Sequence, residues 1–130
     1  MFGELQNCIH GPLILLHGGP GMVHNHLRSY SDLTAIYSIP IVLYDQIGNG
    51  KSTHLPEKAG NSKFWTQQLF IDELNNLLAH LGIEDNYDLL GHSWGGILSA
   101  HYAIQRPKGF HHLILYSCSS SMTLWDEIHD

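Results

Sequence analysis

The chain has 130 residues, of which 43% are hydrophobic and 14% charged, and its formal net charge is −6 at pH 7. This composition favours one globular domain with a real core and excludes an intrinsically disordered chain. The 6 basic residues form no block, so nucleic acid is not expected as a partner. No apolar run is long enough to cross a bilayer, and no secretory signal opens the chain. Cys8 and Cys118 form no disulfide framework, so we expect a cytoplasmic location.

Four short apolar runs predict strands. They cover residues 12–16, 39–44, 87–90 and 112–116. None of them alternates between apolar and polar residues, which is typical of strands buried on both faces of a parallel sheet.

Helical patterns lie between these runs. Apolar residues recur at helical spacing up to position 81, and Gly82 supplies a C-cap. A second helix is predicted over 94–105, ending before Pro107, and a weaker one after His24. The alternation of strands and helices predicts an α/β fold with a mainly parallel sheet flanked by helices. We interpret residues 45–63 as an ordered loop at the edge of an active site.

The strongest chemical motif is G-x-S-x-G, formed by Gly91, His92, Ser93, Trp94 and Gly95. It follows an apolar strand and opens a helix, which is the context of a nucleophile elbow. The sharp turn would expose the serine hydroxyl above the sheet, and the start of the helix offers free N–H groups to a developing negative charge. We therefore predict Ser93 as the nucleophile and the Trp94 N–H as one oxyanion donor, against an ordinary glycine-rich turn.

A second glycine-rich segment ends the first strand: His17, Gly18, Gly19, Pro20 and Gly21. Hydrolases of this architecture take their second oxyanion N–H from a loop in this position. We assign that donor to Gly19 and expect the other four residues to shape the loop. The alternative, a plain Gly-Pro turn, would be preferred if the elbow were absent.

The segment 45–52 follows the second strand, and its Gly50-Lys51-Ser52 tail imitates a phosphate-binding loop. That motif requires a glycine where Asp45 stands, and a carboxylate there would repel phosphate. We therefore expect a supporting loop in which Asp45 and Gln46 stabilise the oxyanion segment.

Together these motifs resemble the proline iminopeptidase family of the α/β-hydrolase fold: HGGPG at 17–21, DQxGxGxS at 45–52 and GHSWGG at 91–96. Residues 44–56 and 64–81 look most like fungal members, some of which act on amino-acid amides. The resemblance implies a serine peptidase with no metal and no cofactor, whose partners are short peptides or amino-acid amides. It also implies that Ser93 is the nucleophile and that Gly19 and Trp94 form the oxyanion hole.

The resemblance covers only the N-terminal half of that fold, so we expect a partial α/β-hydrolase fold, truncated before the cap and the last strands. Residues 1–121 would form half of the core and 122–130 the start of the cap. The triad order is Ser, then acid, then His. We expect both later members to be absent and the chain to be inactive alone, because the acids and histidines after Ser93 lie in a helix, at the wrong sheet end or near the terminus: His101, His111, His112, Asp126, Glu127, His129 and Asp130.

Other interpretations stay open. His24-x-His26 and His111-His112 suggest metal, but no Cys or Glu cluster completes a ligand set, so no metal site is expected. An esterase of the same fold remains possible, and so does a non-catalytic fragment or binding domain. An epoxide hydrolase normally uses Asp as the nucleophile, and Ser93 argues against it. Substrate preference and oligomeric state are not readable from the sequence.

Overall fold

The computed structural model describes residues 1–5, 10–19 and 21–119. Within them, four strands form one sheet in the order β2-β1-β3-β4, and every neighbouring pair is parallel. The strands are β1 (Leu13–Leu16), β2 (Ile41–Leu43), β3 (Tyr87–His92) and β4 (Phe110–Tyr116). All four predicted strands are confirmed, although β2 is shorter than its apolar run and β4 begins two residues before it.

The helices also follow the sequence pattern. They are α1 (Asp32–Tyr37), α2 (Gln67–Leu81) and α3 (Trp94–Ile104), with 3-10 segments at His24–Ser31 and Pro56–Lys58. The Thr66 side chain accepts the Leu69 N–H at the start of α2, and Gly82 ends the helix with φ 65°. The weak pattern after His24 corresponds to a 3-10 segment that leads into the short α1.

The core lies on both faces of the sheet. On one face, side chains of β1 and β3 pack against α2 and α3, including Leu74 and Leu98, which are fully buried. On the other face, a smaller cluster forms around Leu15 and Leu27. All four residues of β1 are buried, which explains why its sequence does not alternate.

The two edges of the sheet differ. An antiparallel bridge from Phe2 to Ile41 extends the sheet beyond β2. At the other edge, β4 exposes Ile114, Leu115 and Tyr116 by 47%, 49% and 54%. In the described part of the chain, no helix combines the length and apolar character needed to cross a membrane. The expected start of the cap, residues 122–130, lies outside the described residues, and the domain boundary at 121 stays a prediction.

Candidate active site

The predicted site residues meet at one edge of the sheet. The loops that follow β1, β2 and β3 all begin at the carboxyl ends of parallel strands, where α/β proteins place their ligand sites. The three motif segments found in the sequence are these three loops. Pro20 lies outside the described residues.

Ser93 stands between β3 and α3 with φ 54° and ψ −120°, a conformation that non-glycine residues rarely adopt. Such backbone strain costs about 1–3 kcal/mol and persists only where the surrounding structure enforces it. Here the Ser93 N–H donates to the Tyr116 carbonyl at 3.1 Å, and the Ser93 carbonyl accepts from Gly96 at 2.9 Å. The turn therefore has the geometry predicted for a nucleophile elbow.

At Gly91 and Gly95 of the elbow, neighbouring atoms leave no space for a side chain. A Cβ at Gly95 would lie 2.6 Å from the carbonyl carbon of Leu16 and 2.7 Å from the carbonyl oxygen of His17. A Cβ at Gly91 would meet the Ser99 hydroxyl and the Gly95 backbone. Helix α3 can therefore begin directly against the end of β1 only because these positions carry no side chain.

The loop after β1 lies against the elbow. A Cβ built on Gly18 would be 3.0 Å from Cβ of Ser93, so the two backbones approach closely. Gly19 has φ 131°, which a side chain would strain. The Gly21 N–H donates to Oδ1 of Asn49 at 2.9 Å, whereas the Gly19 N–H and the Trp94 N–H find no acceptor among the described residues. These two N–H groups are the ones predicted as oxyanion donors, and neither is occupied by a bond within the described part of the chain.

Gln46 connects the two halves of this arrangement. Its Nε2 donates to the His17 carbonyl at 3.0 Å, and its Oε1 accepts from Nε1 of Trp94 at 3.0 Å. Its own backbone N–H donates to Nε2 of His17 at 2.9 Å, while Nδ1 of His17 donates to the Gly18 carbonyl at 2.7 Å. Burial lowers the pKa of His17, which keeps the ring neutral in this tautomer.

Asp45 organises the loop after β2. Its Oδ1 accepts from the His24 backbone at 3.0 Å and from Nδ1 of His24 at 2.6 Å, and its Oδ2 accepts from the Lys51 N–H at 3.0 Å. Burial alone would raise the pKa of this carboxyl, but the hydrogen bonds from Lys51 and His24 hold it at about 2. An ionised carboxylate therefore ties the start of the 3-10 segment to this loop.

Two supporting residues were missed by the sequence analysis. Asn49 holds Gly21, as described above. Glu73 on α2 accepts the Ile47 N–H at 2.7 Å, and burial raises its pKa to about 7. Its second oxygen is buried with no hydrogen-bond partner among the described residues. An acid on the core-facing side of an amphipathic helix was the signal that could have found Glu73.

The histidines take unexpected partners. His24 pairs with Asp45, whereas Nε2 of His26 lies 3.1 Å from Nδ1 of His92. Burial, with the neighbouring His26, lowers the pKa of His92. His101 bonds to Gln67 within the helical layer. Among the described residues, no group of three or more His, Cys, Asp and Glu side chains is placed to hold a metal ion.

His111 and His112 lie where they were expected, at the start of β4 and therefore at the sheet end opposite to the site. Nδ1 of His112 is 2.8 Å from Oδ1 of Asp88. The Ser93 hydroxyl bonds to no histidine of the described residues. Its surroundings offer N–H groups for a developing negative charge but no bonded base.

Residues 11–129 match the family model described as alpha/beta hydrolase fold. The chain therefore belongs to the alpha/beta hydrolase fold family.

Within that family, its relatives agree with the resemblance drawn from the motifs. The chain is 43% identical over 115 residues to the proline iminopeptidase of Lactiplantibacillus plantarum, a match that covers 88% of this chain and 38% of that protein. The crystal structure of the proline iminopeptidase of Mycobacterium smegmatis superposes with a TM-score of 0.82 at 46% identity, covering 89% of this chain and 38% of that one. The crystal structure of VinJ gives 0.88 at 49% identity, with 95% and 40% coverage. The chain thus spans about two fifths of these relatives and forms a partial α/β-hydrolase fold.

Proposed function

We propose that this chain carries the nucleophile and the oxyanion hole of a serine hydrolase that removes N-terminal proline or another amino acid from short peptides or amino-acid amides. The observation that carries the proposal is the strained backbone of Ser93 at the end of β3, in contact with the loop of Gly18 and Gly19. The resemblance to proline iminopeptidases supports the substrate class. A cytoplasmic location belongs to the same proposal.

The proposed reaction proceeds through an acyl-enzyme. Oγ of Ser93 attacks the scissile carbonyl carbon and its proton passes to a general base. The carbonyl oxygen becomes an oxyanion, which the N–H groups of Gly19 and Trp94 stabilise. The C–N bond then breaks, the leaving amine takes the proton, and water later releases the amino acid from Ser93.

The described residues place no general base in a bond with Ser93. Among the described residues, no histidine bonds to Ser93, and an unassisted serine hydroxyl is a poor nucleophile. Loss of the base from a serine triad costs several orders of magnitude in rate, although the oxyanion hole alone retains some catalysis. We therefore propose that the chain by itself turns over very slowly.

A chimera tests the proposed function. This chain would replace the matching 38% of the Lactiplantibacillus plantarum proline iminopeptidase, and release of naphthylamine from prolyl-naphthylamide would be followed. We expect activity that Ser93→Ala lowers by about 10³-fold or more, while Ser29→Ala, an exposed hydroxyl outside the three loops, leaves it unchanged. A folded chimera whose activity survives Ser93→Ala would contradict the assignment.

The same chimera distinguishes an esterase from a peptidase. An esterase would cleave phenyl esters of simple acids and leave aminoacyl amides intact. If the folded chimera shows that preference, the serine hydrolase mechanism stands and the peptidase assignment fails.

A further inference from the structure

We propose that His26 and His92 form a two-histidine binding site for a borderline divalent cation, Zn²⁺, Ni²⁺ or Cu²⁺, directly beside Ser93. Imidazole nitrogens are favoured ligands of these ions, whereas Mg²⁺ prefers oxygen. The proposal concerns metal binding alone and does not depend on Ser93 being a nucleophile.

The separation of the two nitrogens fits chelation. Nε2 of His26 lies 3.1 Å from Nδ1 of His92. With metal–nitrogen bonds of about 2.05 Å, this separation corresponds to a nitrogen–metal–nitrogen angle of about 100°. That angle lies between the right angle of square-planar or octahedral sites and the tetrahedral angle. The distance between the two nitrogens therefore suits binding of one ion by both rings.

The hydrogen bond of the other ring nitrogen orients His26. Its Nδ1 is 3.0 Å from the Val23 carbonyl, which can only accept, so Nδ1 carries the proton and Nε2 the lone pair. Metal-binding histidines commonly have their second nitrogen bonded to a backbone carbonyl in this way. The lone pair of His26 faces Nδ1 of His92. If His92 carries its proton on Nε2, two lone pairs face each other, and a cation between them satisfies both.

A direct hydrogen bond between the rings is the competing explanation, because the two nitrogens lie within hydrogen-bond distance and Nδ1 of His92 would then donate to Nε2 of His26. The ring centroids of His26 and His92 are 4.8 Å apart and the planes are inclined by 59°. A cation would take the place of the shared proton, and the proton of His92 would move to its Nε2.

The surroundings hold His92 in place and leave room for the ion. The ring of Tyr116 packs on His92, with centroids 5.2 Å apart and planes inclined by 31°. Gly18 lies below: a Cβ there would be 3.2 Å from Nδ1 of His92 and 3.0 Å from Cβ of Ser93. A side chain at Gly18 would therefore crowd His92 and Ser93. A cation held by the two histidines would therefore lie next to Ser93.

The site has two protein ligands. Since the described residues contain no cluster of three, water would complete the coordination, and binding should be weaker than at a four-ligand structural zinc site.

Titration calorimetry with ZnCl₂ tests the proposal on the chain itself. His26 is exposed, so His26→Gln should fold normally, and His92→Gln removes the second ligand. We expect each variant to bind Zn²⁺ at this site at least tenfold more weakly than the original chain. His54→Gln is the matched control, because His54 is exposed and lies against the Gly50 carbonyl. MgCl₂ should give no binding. Equal Zn²⁺ affinity in all four proteins would overturn the proposal.

A second measurement uses the unsubstituted chain and is independent of how the variants fold. Substoichiometric Cu²⁺ broadens the NMR signals of nearby nuclei. We expect the amide signals of Gly18 and Ser93 to broaden before those of His112, at the opposite end of the sheet. Broadening that begins at His112, or none at Ser93, would overturn the site.

Discussion

At the scale of single residues, Gln46 connects two segments of the site through hydrogen bonds of its side chain. Its side chain satisfies the His17 carbonyl and the indole N–H of Trp94 at once, and it is 1% exposed. If the amide were removed, the buried His17 carbonyl and the partly buried indole N–H of Trp94 would both lose this partner. Gln46 therefore fixes the loop after β1 relative to the start of α3.

Gln46→Leu keeps the volume and removes both hydrogen bonds. We expect the free energy of unfolding to fall by about 2–4 kcal/mol, because two buried groups lose their partners. Urea denaturation followed by circular dichroism measures the change, and Gln105→Leu, at an exposed position, should change it little. Equal stability of the two variants would show that the bridge does not hold the site together.

Glu73 predicts a pH dependence of stability. Its pKa is raised from 4.5 to about 7 in the folded chain, so between these values the folded state binds more protons than the unfolded state. Stability from this group is therefore full below about pH 4.5 and is lost as pH rises through about 7.

Glu73→Gln should remove this loss, because the amide oxygen can still accept the Ile47 N–H without carrying a charge. We expect Glu73→Gln to be more stable than the original chain at pH 8, by on the order of 2 kcal/mol, and the advantage to shrink towards pH 5. Urea denaturation across this pH range measures it, with Glu84→Gln, at an exposed position, as the control. A stability difference that does not vary with pH would refute the raised pKa.

At the scale of elements, α2 stabilises the loop after β2, because its Glu73 accepts a hydrogen bond from the Ile47 N–H in that loop. The helix begins at a capping side chain, Thr66, whose hydroxyl accepts the Leu69 N–H at 3.2 Å. The stability of the first turn of α2 therefore depends on the hydroxyl oxygen of Thr66.

Thr66→Ala removes that cap. We expect a loss of about 1 kcal/mol in the free energy of unfolding, since one N–H of the first turn is left to solvent. Thermal unfolding measures the effect. Thr53→Ala should be neutral, because Thr53 is exposed and, within the described ranges, its hydroxyl makes no bond while its carbonyl accepts the Gly48 N–H. A Thr66→Ala chain as stable as the original would mean that the start of α2 contributes nothing.

The elements could be predicted from sequence because each has a local signal. The apolar runs of β1 to β4, the spacing within α2 and the αL cap at Gly82 all act over a few residues. The sharp turn at Ser93, with its positive φ, also has a local signal in the glycines at positions 91 and 95.

Contacts between distant segments could not be predicted in this way. His26 was considered with His24, its sequence neighbour, yet the fold places it against His92, 66 positions away. The bond from Ile47 to Glu73 also depends on how α2 packs. Sequence patterns indicate which face of an element is apolar, but not which polar side chains meet once the sheet has formed.

At the scale of the whole molecule, the β4 edge is the least protected surface. Three consecutive large apolar residues there are about half exposed, and no further strand among the described residues pairs with this edge. Edges of this kind readily pair with another chain.

We expect the chain to associate at high concentration through this edge. Leu115→Lys should reduce the association, because a charge in the middle of β4 opposes strand pairing. Sedimentation velocity over a concentration series measures it. Ile36→Lys replaces an equally large residue that is 68% exposed on α1, away from the edge. If both substitutions reduce association equally, general surface hydrophobicity and not the β4 edge is responsible.

We propose that the fold presents Ser93 as a nucleophile, and no histidine of the described residues bonds to its hydroxyl. Labelling of this chain by a fluorophosphonate probe, with the site mapped by mass spectrometry and the rate compared with an intact proline iminopeptidase, tests both at once. The structure predicts slow modification of Ser93, several orders of magnitude below the intact enzyme, and none in Ser93→Ala. Modification at another residue would contradict the first statement, and labelling of Ser93 as fast as in the intact enzyme would contradict the second.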